Sequence, residues 1–382
     1  MKFINPILTS FKFIIIGYLA LVFSNILYDA FSPDHSVQGR YKIAEHDDEL
    51  LPLFAPWEFW SKTTPAINFQ NEELFILGGI SNTNTLYCNE GYGWVKYHSD
   101  SFGFRNSHDH FLNETGRVWL IGDSFVHGAC VSENETFSGV LQNYGHKAVN
   151  LGFGGNGVLM GLAILKEIAD VKPGDNVFFF YYEGNDLPAI RAEISDFTKL
   201  KRYLIPTFKT GLYTQAQESI DERIRLAILE NYQKLEDEEI KFTQKFLKYL
   251  TLDSFRNLIF SVDLKAEDCE WVVKDYPDEE FEKLYEIIGE AKRFTVSAGA
   301  TFYFVYLPSF QSIFADCSFE YKRIVKKLDE IDINTLDARQ YFSNLRDKEE
   351  VYSFGRHGGH FSPEGYRMIA EKINESINMN QK

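Results

Sequence analysis

Residues 152–157 read GFGGNG, and they join a strand-like run, HKAVNL (146–151), to a helix-like one, VLMGLAILKEI (158–168). Strand, glycine turn and helix in that order make one unit of a β/α alternation. The spelling G-x-G-x-x-G is also that of a dinucleotide-binding loop, so its place in the chain decides between two readings. A dinucleotide loop follows the first strand of its unit, with an acid about 20 residues on. Here another buried-strand pattern, RVWLIGD (117–123), comes first, and the position about 20 on is Val171 or Lys172. The glycines fit a loop of backbone donors better than a pyrophosphate cradle.

The alternation continues on both sides of this loop. KPGD (172–175) turns the chain into a third apolar run, NVFFFYYEG (176–184). Further on, EEFEKLYEIIGEAKRFTVSA (279–298) has helical period, TFYFVYL (301–307) reads as a strand, YKRIVKKLDEI (321–331) as a helix and INTLDA (333–338) as a short strand. SPEGYRMIAEKINESI (362–377) is an amphipathic helix opened by Ser362 as N-cap and Pro363 at its first position. Apolar strands alternating with helices predict a three-layer α/β/α fold around a parallel, flavodoxin-like sheet. Two regions stand outside the pattern. Residues 31–116 carry turn signals (GGISNTNT, NEGYGW, SDSFGFRNSHD) and no long helical period, and about 191–275 is charged and helix-rich, an insertion packed over the sheet as a lid or a plain appendage.

The chain has 382 residues with 55 acidic against 39 basic side chains, a formal charge of −16. That balance excludes the basic face a nucleic-acid binder needs and electrostatic docking on an anionic membrane surface. The aromatic share, 16%, suits a Phe-rich core better than sugar-stacking surfaces. Cys88, Cys130, Cys269 and Cys317 form no C-x-x-C pair and no zinc-like spacing, so independent buried thiols are expected, although an extracytoplasmic location would permit a disulfide. The stretch from Phe13 to about Leu27 is apolar and near the length that spans a bilayer, with Lys2 and Lys12 before it. No small-residue cleavage site follows. The expected layout is a cytoplasmic tail (1–11), a transmembrane anchor (12–30), a lead-in region (31–116) and an extracytoplasmic α/β domain (117–382).

Four blocks carry chemistry-bearing residues at the ends of these elements. In GDSFVHG, Ser124 stands at a strand-to-helix turn, where its hydroxyl is exposed and its own N–H is free to donate; an N-cap role explains such a Ser equally well. The second block is the glycine loop. In EGND, Asn185 follows the third strand and offers an amide to an oxyanion, or simply forms a turn. In HGGHFSPEGY, His360 precedes the last helix, whose amino terminus disfavours added positive charge and would keep the imidazole neutral.

Together, in this order, the blocks resemble those of the SGNH (GDSL) hydrolase superfamily over about 117–190 and 276–382, and YHSDSFGFRN (97–106) is similar to the lead-in of membrane-anchored members. The resemblance implies Ser124 as nucleophile, His360 as general base, and an oxyanion hole made by the N–H groups of Ser124 and Gly155 with the side chain of Asn185. Asp123 and Asp186 are expected to support them, Asp123 by bracing its loop. Two positions depart from the family pattern: His357 stands where an Asp usually precedes the His by three, and Glu183 stands where the Asn block has Gly. The carboxylate that orients His360 is therefore expected from elsewhere, Asp347, Glu349 and Glu350 being nearest, or from a backbone carbonyl. His357 and His360 as a metal pair lack further ligands at suitable spacing. The function implied is an extracytoplasmic esterase acting on an acyl ester of a glycan or lipid, without cofactor or metal. The alternatives are an O-acyltransferase and a silent glycan-binding module.

Overall fold

The computed structural model describes residues 6–31, 36–47, 49–55, 66–106, 114–237, 250–251, 276–314, 319–355 and 358–379. Ten strands occur among them. Five are short and precede residue 117: β1 (Leu51–Pro52), β2 (Ala66–Phe69), β3 (Glu72–Phe75), β4 (Asn84–Leu86) and β5 (Lys96–His98). The other five are β6 (Arg117–Gly122), β7 (Lys147–Gly152), β8 (Asn176–Tyr182), β9 (Thr301–Leu307) and β10 (Thr335–Asp337). Each of these last five lies within an apolar run predicted to be a strand.

The last five form one parallel sheet in the order β10-β9-β8-β6-β7. Side chains alternate across it with the two-residue period of a strand. Val118, Leu120, Phe178, Phe180 and Val305 pack on one face with Ile369, Ile373 and Ile377 of the last helix, Pro363–Met379. Trp119, Ile121, Val177, Phe179 and Phe304 pack on the other with Leu162 of the helix Val158–Glu167 and Leu284 and Ile288 of the helix Asp278–Ser297. Three layers result. At the start of β6, Arg117 is fully buried against Asp175 (3.0 Å), whose carboxylate also accepts from the Trp119 indole N–H (2.9 Å). A buried charge tolerated in this way needs all its partners in place.

The strand order reverses between β6 and β8: the chain leaves β6 for β7 on one side and returns to build β8, β9 and β10 on the other. Crossovers on either side of that reversal splay apart and leave a crevice beyond the carboxyl ends of the strands. The turns after β6, β7 and β8 all open into it.

The glycine loop shows why no dinucleotide belongs there. The free N–H groups at the start of the helix Val158–Glu167 would receive the pyrophosphate in such a protein. In this chain a carboxylate already occupies them. Glu193, fully buried, accepts from Leu159 N (2.9 Å) and Met160 N (3.0 Å). A Cβ at Gly157 would lie 2.8 Å from that carboxyl group, so the close approach requires glycine.

The lead-in contains a helix that its sequence does not announce, Val37–Glu45, capped by the Ser36 hydroxyl, which accepts from Gly39 N (3.0 Å). At nine residues, with a mixed composition, it shows no clear period. In the helix-rich stretch expected over the sheet, the described helix Tyr213–Asp237 rests on this lead-in. The Tyr213 hydroxyl donates to Phe75 O (2.9 Å), the Asn231 amide to the Tyr41 hydroxyl (3.1 Å) and Ser81 N to Asp221 (3.0 Å). Residues 238–249 and 252–275 of that stretch lie outside the described residues.

A helix also covers Pro6–Phe31, with side chains described from Ile14 to Leu27. Ile14, Ile16, Leu19, Leu21 and Phe23 are exposed on it. Among the described residues no helix is long and apolar enough to cross a membrane.

Candidate active site

The turn after β6 is built by Asp123. Its carboxylate accepts the Phe125 N–H (2.9 Å) and so caps the four-residue helix Ser124–His127, which Gly128 ends in the left-handed region (φ 78°). Asp123 is buried, and burial pushes its carboxyl above the usual range. The hydrogen bond to Phe125 N braces the turn. The turn leaves the Ser124 hydroxyl facing the crevice.

Across the crevice, His360 Nε2 lies 2.8 Å from Ser124 Oγ. Its other ring nitrogen, Nδ1, lies 2.7 Å from Glu90 Oε1, and Glu90 Oε2 accepts the backbone N–H of His360 itself (2.8 Å). Burial works against the charge of Glu90, but the hydrogen bonds and charge of His360 outweigh it and hold the carboxyl below its usual range. An ionised carboxylate only accepts, so Nδ1 carries the proton and Nε2 presents its lone pair to the Ser124 hydroxyl. Burial would likewise depress the imidazole, but the hydrogen bond and charge of Glu90, with a contribution from Asp123, raise it above its ordinary value.

Two expectations are corrected here. The orienting group is neither Asp347, Glu349 or Glu350 nor a backbone carbonyl; it is Glu90, from the lead-in outside the span of family resemblance. Nor is His360 hard to protonate, because a carboxylate at 2.7 Å outweighs the partial charge of a helix end. The last helix does begin as read, with the Ser362 hydroxyl accepting from Gly365 N (3.2 Å). His357 lies outside the described residues.

The glycine loop forms the next wall. Gly155 adopts φ +87°, a backbone shape that side chains resist. Gly154 donates its N–H to His127 Nδ1 (3.2 Å), which leaves His127 Nε2 to donate to the Tyr97 hydroxyl (3.0 Å). His127 is fully buried between the rings of Tyr87 (4.3 Å) and Phe153 (5.0 Å). Burial and the nearby Arg105 charge push it well below the usual His range, so it is a neutral strut between loop and lead-in. Arg105 in turn donates to Gly128 O (2.7 Å) and Val131 O (2.9 Å), holding the segment after the Ser124 helix.

Asn185 and Asp186 follow β8. Asp186 accepts from Tyr182 N (2.7 Å) and fixes the turn that carries the Asn185 amide. Burial, reinforced by Asp123, drives Asp186 well above the carboxylate range. Glu183, the departure from the family pattern, points away and binds the backbone N–H of Ser309 (2.9 Å) after β9. Ser124, Gly154, Gly155, Asn185, Asp186 and His360 line a single cleft of about 530 Å³, with Val37, Arg40 and Trp94 of the lead-in on its far side. All the residues expected to react there meet in one place.

The cysteines also depart from expectation. Cys88 and Cys130 are joined in a disulfide, Cα atoms 5.0 Å apart. Cys269 and Cys317 lie outside the described residues. Glu90, Cys130 and His360 each bring a potential metal-ligand atom within 4.8 Å of the others, but the Cys130 sulfur is committed to the bridge.

No protein-family model matches the chain, and no curated protein does. Among solved structures, it is similar to a G-D-S-L family protein from Desulfitobacterium hafniense DCB-2, at 15% identity over 68% of this chain and 99% of that one, with a TM-score of 0.37. It is also similar to a member of the lipolytic G-D-S-L family from Veillonella parvula DSM 2008, at 12% identity over 68% and 96%, with a TM-score of 0.35.

Proposed function

We propose that this chain is a serine hydrolase of SGNH type that cleaves an O-acyl ester. One observation carries the proposal: the continuous path Ser124 Oγ, His360 Nε2, His360 Nδ1, Glu90 Oε1, with steps of 2.8 and 2.7 Å around the ring, at the wall of an open cleft. Nucleophile, base and orienting acid in hydrogen-bond reach of one another are what acyl transfer through an activated serine requires.

In this mechanism His360 Nε2 takes the Ser124 proton as Oγ attacks the ester carbonyl. The imidazolium that forms is stabilised by Glu90. The N–H groups of Ser124 and Gly155 and the Asn185 amide receive the charge on the carbonyl oxygen. His360 then gives its proton to the departing alcohol, and a water molecule, activated by the same nitrogen, releases the acyl group from Ser124. The presence of Glu90 weighs against a silent binding module, whose basis was the missing Asp.

The same reading places the catalytic cleft outside the cytoplasm, anchored by the helix Pro6–Phe31. Its exposed Ile14, Ile16, Leu19, Leu21 and Phe23, with Lys2 and Lys12 on the amino-terminal side of that apolar stretch, support an anchor. The disulfide supports an oxidising compartment. A fluorophosphonate probe tests the chemistry. Wild-type protein should be labelled at Ser124, and Ser124→Ala and His360→Ala should not; an unlabelled wild type would remove the enzyme reading.

A further inference from the structure

We propose that the Cys88–Cys130 disulfide is a positioning device for catalysis: it holds Glu90 against His360, and its reduction separates the acid from the base while leaving Ser124 and His360 in place. The proposal rests on the serine-hydrolase reading of the site.

The acid of the relay comes from a tight loop in the lead-in. Residues 88–95 close on themselves through Tyr87 N to Val95 O and Val95 N to Cys88 O, both 2.9 Å. Inside the loop, Asn89 Oδ1 accepts the N–H groups of Gly91 (3.0 Å) and Gly93 (3.1 Å). Gly91 and Gly93 both have positive φ and nothing within 4 Å of a Cβ placed on them, and the Tyr92 ring at the tip is 48% exposed. These bonds give the loop its shape; outside it, Glu90 meets the ring and backbone N–H of His360, and Glu90 and Tyr92 both reach Ser353.

The disulfide adds a covalent attachment, to the segment that follows Ser124. Cys88 lies two residues before Glu90. Cys130 lies six residues after Ser124, is buried, and belongs to the segment whose carbonyls, Gly128 O and Val131 O, are gripped by Arg105. One end of the bridge is thus on the floor of the nucleophile and the other is beside the acid. The Cys130 sulfur also lies within 4.8 Å of both the Glu90 carboxylate and the His360 ring, so the bridge runs alongside the very hydrogen bond it steadies. Displacement of a reacting group by about 1 Å can cost on the order of 10²-fold in rate. Reduction removes the one covalent tie between that loop and the nucleophile's segment.

A disulfide that merely stabilised the fold would act by restricting the unfolded chain, with no effect on the base. The two roles are separated by measuring kcat/KM against pH for p-nitrophenyl acetate in wild type, Cys88→Ser/Cys130→Ser, Glu90→Gln and the triple variant. If the bridge acts through Glu90, the cysteine pair variant loses about 10²-fold and its activity limb moves to lower pH, as in Glu90→Gln. Adding the cysteine changes to Glu90→Gln then costs nothing more. Losses that multiply, or an unmoved limb with only a lower Tm, would overturn the proposal. Reducing folded wild-type protein with dithiothreitol in the same assay repeats the test where the pair variant does not fold. Failure of fluorophosphonate to label wild-type Ser124 would instead strike the hydrolase reading itself.

Discussion

Glu90 Oε1 lies 2.7 Å from His360 Nδ1, although 270 residues of chain separate the two. In the proposed mechanism that contact makes the lead-in part of the catalytic unit and sets the pH at which the base works. Only neutral imidazole takes the serine proton, and Glu90, against the effect of burial, raises the pKa of His360 above its ordinary value near 6.5. The rising limb of kcat/KM should therefore lie above pH 6.5. Glu90→Gln leaves burial opposed only by Asp123, so the limb should move to lower pH while the maximal rate falls by roughly 10²–10⁴-fold. A limb that stays in place in Glu90→Gln would show that another group sets the charge of His360.

The oxyanion donors make a separate prediction. Asn185 and Gly155 share the cleft with Ser124 and would bind charge that exists only once attack has begun. Asn185→Ala should thus lower kcat by about 10²–10³-fold with little change in KM. Gly155→Ala should do the same for a different reason, because φ +87° is strained for alanine and the N–H turns away. Steady-state kinetics with a p-nitrophenyl ester decides this; an effect confined to KM would make Asn185 a ground-state binding residue.

The parts of this molecule that were legible in its sequence are those whose signals are local. The central sheet strands β8 and β9 carry unbroken apolar runs, VFFFYY and FYFVYL, as strands buried on both faces do. Ser124, Gly155 and Asn185 were legible as candidates because each follows a sheet strand, and His360 because it stands just before the last helix. Glu90 was not. It sits in NEGYGW, which reads as a solvated turn, and nothing within ten residues of it refers to His360. What could be read was the vacancy, no acid between Glu350 and His360, and hence the need for an orienting group from elsewhere, for which the nearest acids, Asp347, Glu349 and Glu350, were the wrong candidates. The Cys88–Cys130 pair is hidden for the same reason: 42 residues apart and in no motif, the two thiols become partners only when the lead-in folds back over the nucleophile's turn.

The anchor is tested by fractionation. If the helix Pro6–Phe31 lies in a bilayer, full-length protein should sediment with membranes and resist extraction by salt, and protease outside intact cells should digest the domain that follows. Deleting residues 1–31 should release a soluble, fluorophosphonate-reactive protein. A full-length chain that stays in the soluble fraction would leave the exposed Ile14, Ile16 and Phe23 in want of another partner.

Glu193 gives a prediction about stability. Its carboxylate sits where an anionic ligand would otherwise sit, at the amino end of the helix Val158–Glu167, so NAD or NADP at millimolar concentration should leave Tm unchanged. Burial pushes Glu193 up to about 7, with the N–H groups of Met160, Leu159 and Gly157 pulling it partly back. A group whose pKa is higher in the folded than in the unfolded chain stabilises fully below its unfolded value, near 4.5, and loses that contribution as pH rises through about 7. The difference between the two pKa values corresponds to a loss on the order of 3 kcal/mol. Glu320, pushed to about 8 by burial and by the nearby Glu183, acts in the same sense, so the slope for wild type alone does not isolate Glu193. Glu193→Gln does: it keeps one acceptor oxygen and cannot ionise. The variant should be less stable than wild type at pH 5, where the protonated Glu193 still accepts from the helix, and the gap should close or reverse by pH 8. Tm measured from pH 5 to 8 for both proteins checks this, and a constant gap would mean that Glu193 keeps the same charge throughout.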